Sequence, residues 1–208
     1  MVFFIVTIII AGMYIPIEKC WSDEFVGYSF PGKVFYYMLA GLGKRFFYYS
    51  PFTATTGAIV ASGFGYNGMK KSEDKGAKEE HTWDKVVGVY WMQCETILSP
   101  IEIFRYWNYQ VHIWMKRYVA HRLTPEGERA GPYDFAIVFM TSAFWHGFYY
   151  AYYIAFFFSA INCEIAKDIY KARSLFNFIP YPTRIAIANI VTFMALNYHF
   201  VVINALTF

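Results

Sequence analysis

The chain has 208 residues, of which 57% are hydrophobic, 23% aromatic and only 16% charged, with a net charge of +3. Soluble domains average roughly 45–50% apolar and about 25% charged residues, so a single soluble core cannot hide this surplus. The small net charge, with no basic stripe interleaved with stacking aromatics, excludes a nucleic-acid partner, and Cys20, Cys94 and Cys163 lie too far apart for a metal site or a disulfide framework.

The apolar residues come in long blocks, and a bilayer core about 30 Å thick needs about 20 of them per helical crossing. The composition therefore predicts an all-α, multi-pass transmembrane bundle with interfacial helices, organised as one membrane domain over residues 1–208. The first apolar run, residues 1–17, lacks a basic leader and a small-residue cleavage site, so it fits a span better than a signal peptide. A chain that opens inside a span and stops on Phe208 without a polar tail is expected to be the C-terminal portion of a longer protein.

Residues 25–68 are rich in aromatics but interrupted by Lys44 and Arg45, which are too costly to face lipid at the midplane. Two shorter helices meeting at this basic pair are expected. Residues 52–64 are uncharged and rich in Ala, Thr and Gly, as close helix packing in lipid requires. Residues 69–84 form a charge-dense loop that must lie in water, and His81 within it is expected to be solvated. Residues 83–106 read as an amphipathic helical segment broken near Ser99 and Pro100. Glu95 and Glu102 make that segment interfacial or enclosed by protein.

Residues 114–123 place Lys116, Arg117, His121 and Arg122 beside Trp114, Met115 and Tyr118, the pattern of a basic interfacial helix. His112 and His121 on this stretch are candidates to meet a phosphate. Residues 134–161 are the strongest span, with no charge after Asp134 and a single imidazole, His146. At about 1.5 Å per residue, His146 would sit roughly 18 Å along that helix, near the middle of the hydrocarbon. A neutral imidazole at such depth can serve as a general base, or it can hydrogen-bond a neighbouring helix as a structural group. Gly147 beside it lets another chain or a ligand come close. After a charged stretch at residues 164–173, residues 185–208 form the last span, which carries Asn189, Asn197, His199 and Asn204. No histidine is followed five residues later by Asp, so the His-x4-Asp motif of soluble-loop acyltransferases is absent.

Phe104-Arg105-Tyr106-Trp107-Asn108, followed by Trp114-Met115-Lys116-Arg117, resembles the Trp-Asn motif and trailing Trp-hydrophobic-basic run of the membrane-bound O-acyltransferase (MBOAT) family, in its lysophospholipid branch. Trp145-His146-Gly147 resembles the family's Trp-His-Gly, residues 62–68 (SGFGYNG) its Gly-rich block, and Asn197-Tyr198 a further block. Four blocks in the right order make the match specific, whereas any one alone would be weak. One departure is Ala151-Tyr152, where the family often has Gly-Tyr, and it is expected to narrow the space near His146.

The resemblance implies transfer of a fatty acyl group from acyl-CoA to a lysophospholipid hydroxyl, with no bound cofactor or metal, in the endoplasmic reticulum membrane. It implies His146 as general base and Asn108 as donor to the developing oxyanion. Lys116, Arg117 and Arg122 would meet CoA phosphates or lipid headgroups, and Trp107 and Trp145 would contact substrate or serve as packing aromatics. The alternatives are another MBOAT acceptor (a sterol, diacylglycerol or protein) and a non-catalytic membrane scaffold.

Overall fold

The computed structural model describes residues 6, 13–70, 80–125, 127–128 and 130–204. The expected span at residues 1–17 falls mostly outside them. A 3-10 turn, Ile17–Trp21, leads into the short helix α1 (Asp23–Val26). The Ser22 hydroxyl accepts the Phe25 N–H at 3.3 Å and caps α1. Ser29 caps the next helix, α2 (Phe30–Ala61), in the same way.

The 32 residues of α2 form one continuous helix, not the two shorter ones expected from Lys44 and Arg45. The basic pair does not break it because neither charge is left facing lipid alone. Lys44 lies 3.7 Å from Glu18 at the surface, and Arg45 is fully buried against an acid from another helix.

After α2 a short antiparallel pair forms, β1 (Met69–Lys70) with β2 (Glu80–His81), and the middle of the expected charged loop, residues 71–79, lies outside the described residues. The segment that follows is not helical until α3 (Trp91–Thr96) and α4 (Pro100–Tyr106). Pro100 opens α4, where its missing N–H costs nothing. The chain then turns sharply into α5 (Tyr109–Met115), a π-helical turn at Lys116–Ala120 and α6 (His121–Leu123), which together make up the predicted basic helix.

Three longer helices complete the described fold: α7 (Pro132–His146), α8 (Tyr150–Lys171) and α9 (Tyr181–Asn204). At the start of α7 the Asp134 carboxylate accepts the Gly131 N–H at 2.8 Å and the Thr124 hydroxyl at 3.0 Å. The acid thus stabilises the N-terminal end of the helix. Among the described residues, α9 is the one helix long and apolar enough to cross a membrane by length and composition.

α9 lies along α2, and α8 packs on α7, α4 and α9. Close approach of α2 and α9 requires Gly41, where an added Cβ would lie 2.7 Å from Asn197 Oδ1. The asparagines of α9 are matched to partners, as a low-dielectric surrounding demands. Asn189 donates to the Ile97 carbonyl at 3.1 Å, and Asn204 to the Phe200 carbonyl at 2.6 Å.

Where α2, α3 and α9 meet there is a buried polar cluster. Arg45 donates from Nε to Glu95 Oε1 at 3.0 Å and from Nη2 to Oε2 at 2.7 Å, a two-pronged pair. Its Nη1 donates to Asn197 Oδ1, and its guanidinium lies 4.8 Å from the Phe193 ring centre. Tyr49 donates its hydroxyl to Glu95 Oε1 at 2.6 Å, and Asn197 Nδ2 reaches Met38 Sδ at 3.6 Å. Every arm of the cluster therefore has a partner.

Removing one member of such a pair leaves the other charge buried and uncompensated. Arg45→Ala is expected to destabilise the protein by about 3–5 kcal/mol, read from chemical or thermal unfolding in lipid nanodiscs. Gly41→Leu, which forces α2 off α9, is expected to lower the same transition.

Candidate active site

The turn between α4 and α5 is built around Asn108. Its backbone lies at φ 42°, ψ 58°, and among the described residues it is the one non-glycine with positive φ. Asn is among the few L-residues that accept this left-handed conformation at modest cost. The turn is tied on both sides. Trp107 N–H donates to the Ile103 carbonyl at 2.7 Å, and Tyr109 N–H to the Gly88 carbonyl at 2.8 Å. Tyr90 N–H donates to the Tyr106 carbonyl at 3.0 Å. Gly88 is itself wedged against α2, since its N–H donates to Thr56 Oγ1 at 2.9 Å and an added Cβ would meet the Phe52 carbonyl at 2.8 Å. A glycine is required there for the strand of chain to fit between α2 and the Asn108 turn.

Trp107 is a half-buried packing residue. Its indole is surrounded by Tyr49 at 5.3 Å, Phe52 at 5.7 Å and Tyr48 at 5.9 Å from α2, and by Phe200 at 4.8 Å from α9. These edge-on and tilted contacts are the favoured geometries for aromatic rings.

His146 is not in the middle of one long helix. The expected helix over residues 134–161 is two helices, and His146 is the last residue of the first. The break is at Gly147, whose backbone (φ 131°, ψ −175°) is open only to glycine. Its N–H closes α7 on the Ala143 and Phe144 carbonyls, both at 3.2 Å. The chain re-enters a helix at Tyr150, and α8 runs on through the charged stretch to Lys171. Its charges are accommodated at the outer end by pairs such as Lys167–Glu164 at 2.6 Å.

The imidazole of His146 is exposed at this break, and one side of it lies over Phe156 (5.2 Å between ring centres) and Tyr152 (5.4 Å). No described residue hydrogen-bonds either of its nitrogens. His199 differs on this point. Its Nδ1 lies 2.6 Å from the Ala195 carbonyl, which can only accept, so Nδ1 carries the proton. Nε2 is then the acceptor of Asn162 Nδ2 at 3.4 Å. His199 is occupied at both nitrogens, whereas His146 keeps a lone pair available.

The two candidate residues belong to different elements but to one packed surface. From His146 the ring contacts run to Phe156, on to Phe139 at 6.4 Å, and from there to Phe104 of α4 at 4.7 Å between centres. α4 leads directly into Trp107 and the Asn108 turn. Trp145 is 62% exposed, with its ring edge-on to that of His146 at 5.7 Å between centres. Ala151 lines a cavity of about 260 Å³ with Cys20, Trp21, Tyr37 and Val201, so a methyl in place of the usual glycine bears on that cavity.

The cations form a separate exposed group. Lys116 and Arg117 lie on the π-helical turn, which packs against α7. Arg122 donates to the Tyr118 carbonyl at 2.8 Å, with its guanidinium 5.6 Å from the Tyr118 ring centre. Burial, together with the nearby Lys116 and Arg105 charges, holds the His112 imidazole below its ordinary range. His112 is therefore a neutral ring at pH 7 and adds no charge for a phosphate.

The family model described as MBOAT, membrane-bound O-acyltransferase family, matches residues 2–206. Lysophospholipid acyltransferase 2 of Arabidopsis thaliana is 29% identical over 189 residues, which cover 91% of this chain and 39% of that protein. Lysophospholipid acyltransferase of Saccharomyces cerevisiae is 33% identical over 150 residues, covering 72% of this chain and 23% of that protein. Membrane-bound glycerophospholipid O-acyltransferase 2 of Homo sapiens is 30% identical over 143 residues, covering 68% of this chain and 25% of that protein. The chain thus spans 39% or less of the length of these relatives.

Two backbone conformations support the geometry, and each is open to test by thermal unfolding. Gly147→Ala is expected to cost about 1–3 kcal/mol, because an L-residue must be strained to hold the break. Asn108→Val is expected to lose about 1–2 kcal/mol, while Asn108→Gly keeps the turn.

Proposed function

The chain belongs to the membrane-bound O-acyltransferase family, and on that premise we propose that the protein transfers a fatty acyl group from acyl-CoA to the free hydroxyl of a lysophospholipid. The relatives' names point to that acceptor. We place the reaction in the endoplasmic reticulum membrane, with the chain crossing it several times. The observation that carries the proposal is His146: an imidazole with no hydrogen bond from any described residue, held by ring contacts at a helix break.

In this reading an imidazole nitrogen of His146 takes the proton of the acceptor hydroxyl as its oxygen attacks the thioester carbonyl. The new C–O bond forms and the carbonyl oxygen becomes an oxyanion, to which the Asn108 amide donates a hydrogen bond. Collapse of that intermediate breaks the C–S bond. The departing CoA thiolate then takes up the proton from the imidazolium, which returns the ring to its starting state. Phe156 and Tyr152 hold the ring plane, and the left-handed turn sets where the Asn108 side chain starts. Lys116, Arg117 and Arg122 supply charge for the CoA phosphates, or for lipid headgroups, at about 1 kcal/mol per basic residue. Trp107 supports the Asn108 turn.

The test uses the full-length protein in membranes depleted of endogenous acyltransferases, supplied with labelled acyl-CoA and a panel of lysophospholipids. Labelled phospholipid is expected from the wild type, with His146→Ala lower by about 10²–10⁴-fold. Asn108→Gly, which keeps the turn but removes the amide, is expected to fall by roughly 10²–10³-fold. Failure of a well-expressed wild type to label any lysophospholipid would sink the proposal and direct the search to other hydroxyl acceptors.

A further inference from the structure

We infer that the buried Arg45–Glu95–Tyr49 network aims Asn108, making Tyr49 and Glu95 positioning residues of the acyl-transfer reaction; this rests on the reading of Asn108 given above. The link is Tyr49, which belongs to two groups of contacts at once. Its hydroxyl donates to Glu95 Oε1 at 2.6 Å, and its ring lies 5.3 Å from that of Trp107. Arg45, Tyr49 and Phe52 follow one another at helical spacing on α2, so the ion pair sits about one turn from the aromatic contacts with Trp107. α9 repeats the arrangement, since Asn197 receives Arg45 and Phe200, three residues on, packs on Trp107 at 4.8 Å. The polar layer and the aromatic layer are thus built on the same two helices.

Trp107 immediately precedes Asn108, whose left-handed backbone sets the direction of its Cα–Cβ bond. A shift of Trp107 is therefore passed through the peptide link to the point from which the Asn108 side chain starts. A displacement of about 1 Å at a reacting group can cost on the order of 10²-fold in rate. Stability alone does not account for the network, because replacing a buried ion pair with apolar residues of similar size is often neutral or stabilising. A rigid, two-pronged pair does, however, fix one rotation of α2 and one seat for Tyr49. The hydroxyl bond to Glu95 holds the ring that braces Trp107.

The experiment compares the full-length wild type with Tyr49→Phe, Glu95→Gln and the apolar double variant Arg45→Met/Glu95→Met, in nanodiscs. Each is measured for its thermal transition and for kcat and KM toward acyl-CoA and lysophospholipid. Tyr49→Phe keeps the ring and loses one hydrogen bond. It is expected to keep its transition and both KM values while kcat falls about 10–100-fold. The double variant is expected to recover the stability lost in Glu95→Gln without recovering kcat. The inference is overturned if folded Tyr49→Phe keeps its kcat, or if stability and kcat return together in the double variant. Absence of transfer by the wild type itself would overturn the acyl-transfer reading, and this inference with it. Transfer by the wild type with unchanged kcat in Tyr49→Phe would overturn this inference alone.

Discussion

A guanidinium with no exposed surface, among helices of a membrane-bound family, sets the terms for the rest of the structure. Arg45 can be there only because Glu95, Asn197 and Phe193 meet it from α3 and α9. An unpaired charge at such a place would be far more costly than the rotations and close approaches needed to pair it. α2 must present the Arg45 face to α9, Gly41 must let the two helices touch, and α3 must bring in a carboxylate. The crossing of α2 and α9, the seat of Tyr49 and the floor beneath Trp107 all depend on that pairing.

Outward from this point the packing changes from polar to aromatic. Trp107 fills the space between α2 and α9, Phe104 meets Phe139 at 4.7 Å between ring centres, and Phe156 supports both Phe139 and His146. Rings are well suited to this layer because they bury much area with few rotatable bonds. Two departures from ordinary helix geometry, the left-handed Asn108 and the positive-φ Gly147, lie at the edge of the layer. Each ends or begins a helix at the residue proposed to act in acyl transfer, so that a polar side chain is presented at a helix terminus.

Some of this was legible in the sequence. The all-helical class followed from blocks of apolar residues. Pro100 marked the start of α4. The Trp107-Asn108 and Trp145-His146-Gly147 signatures identified the family. The course of α2 through Lys44 and Arg45 was not legible, because the acid that neutralises Arg45 is 50 residues away and the amide 152 residues away. Hydropathy registers the charge but not its partner. The break after His146 was missed for another reason. Gly147 was read as a residue that permits close approach, while its effect here is through a backbone angle that hydropathy does not sense. α8 runs past the apolar stretch because Glu164, Lys167, Asp168 and Lys171 pair along the helix at spacings of three. Charge at a helix end can continue the helix as readily as stop it.

The sequence distances within the Arg45 network also bear on the order in which the protein can be assembled. Asn197 follows Arg45 by 152 residues. At about 5–20 residues per second of synthesis, that interval is roughly 8–30 s. Over that time α2 has entered its surroundings and Glu95 has followed, but the amide that completes the guanidinium's shell has not yet been made. A newly made α2 must therefore keep Arg45 in contact with water, lipid headgroups or Glu95 alone until α9 arrives. Tyr49 and Trp107 take their final places only once α9 has packed on α2, so the Asn108 turn is not complete before then.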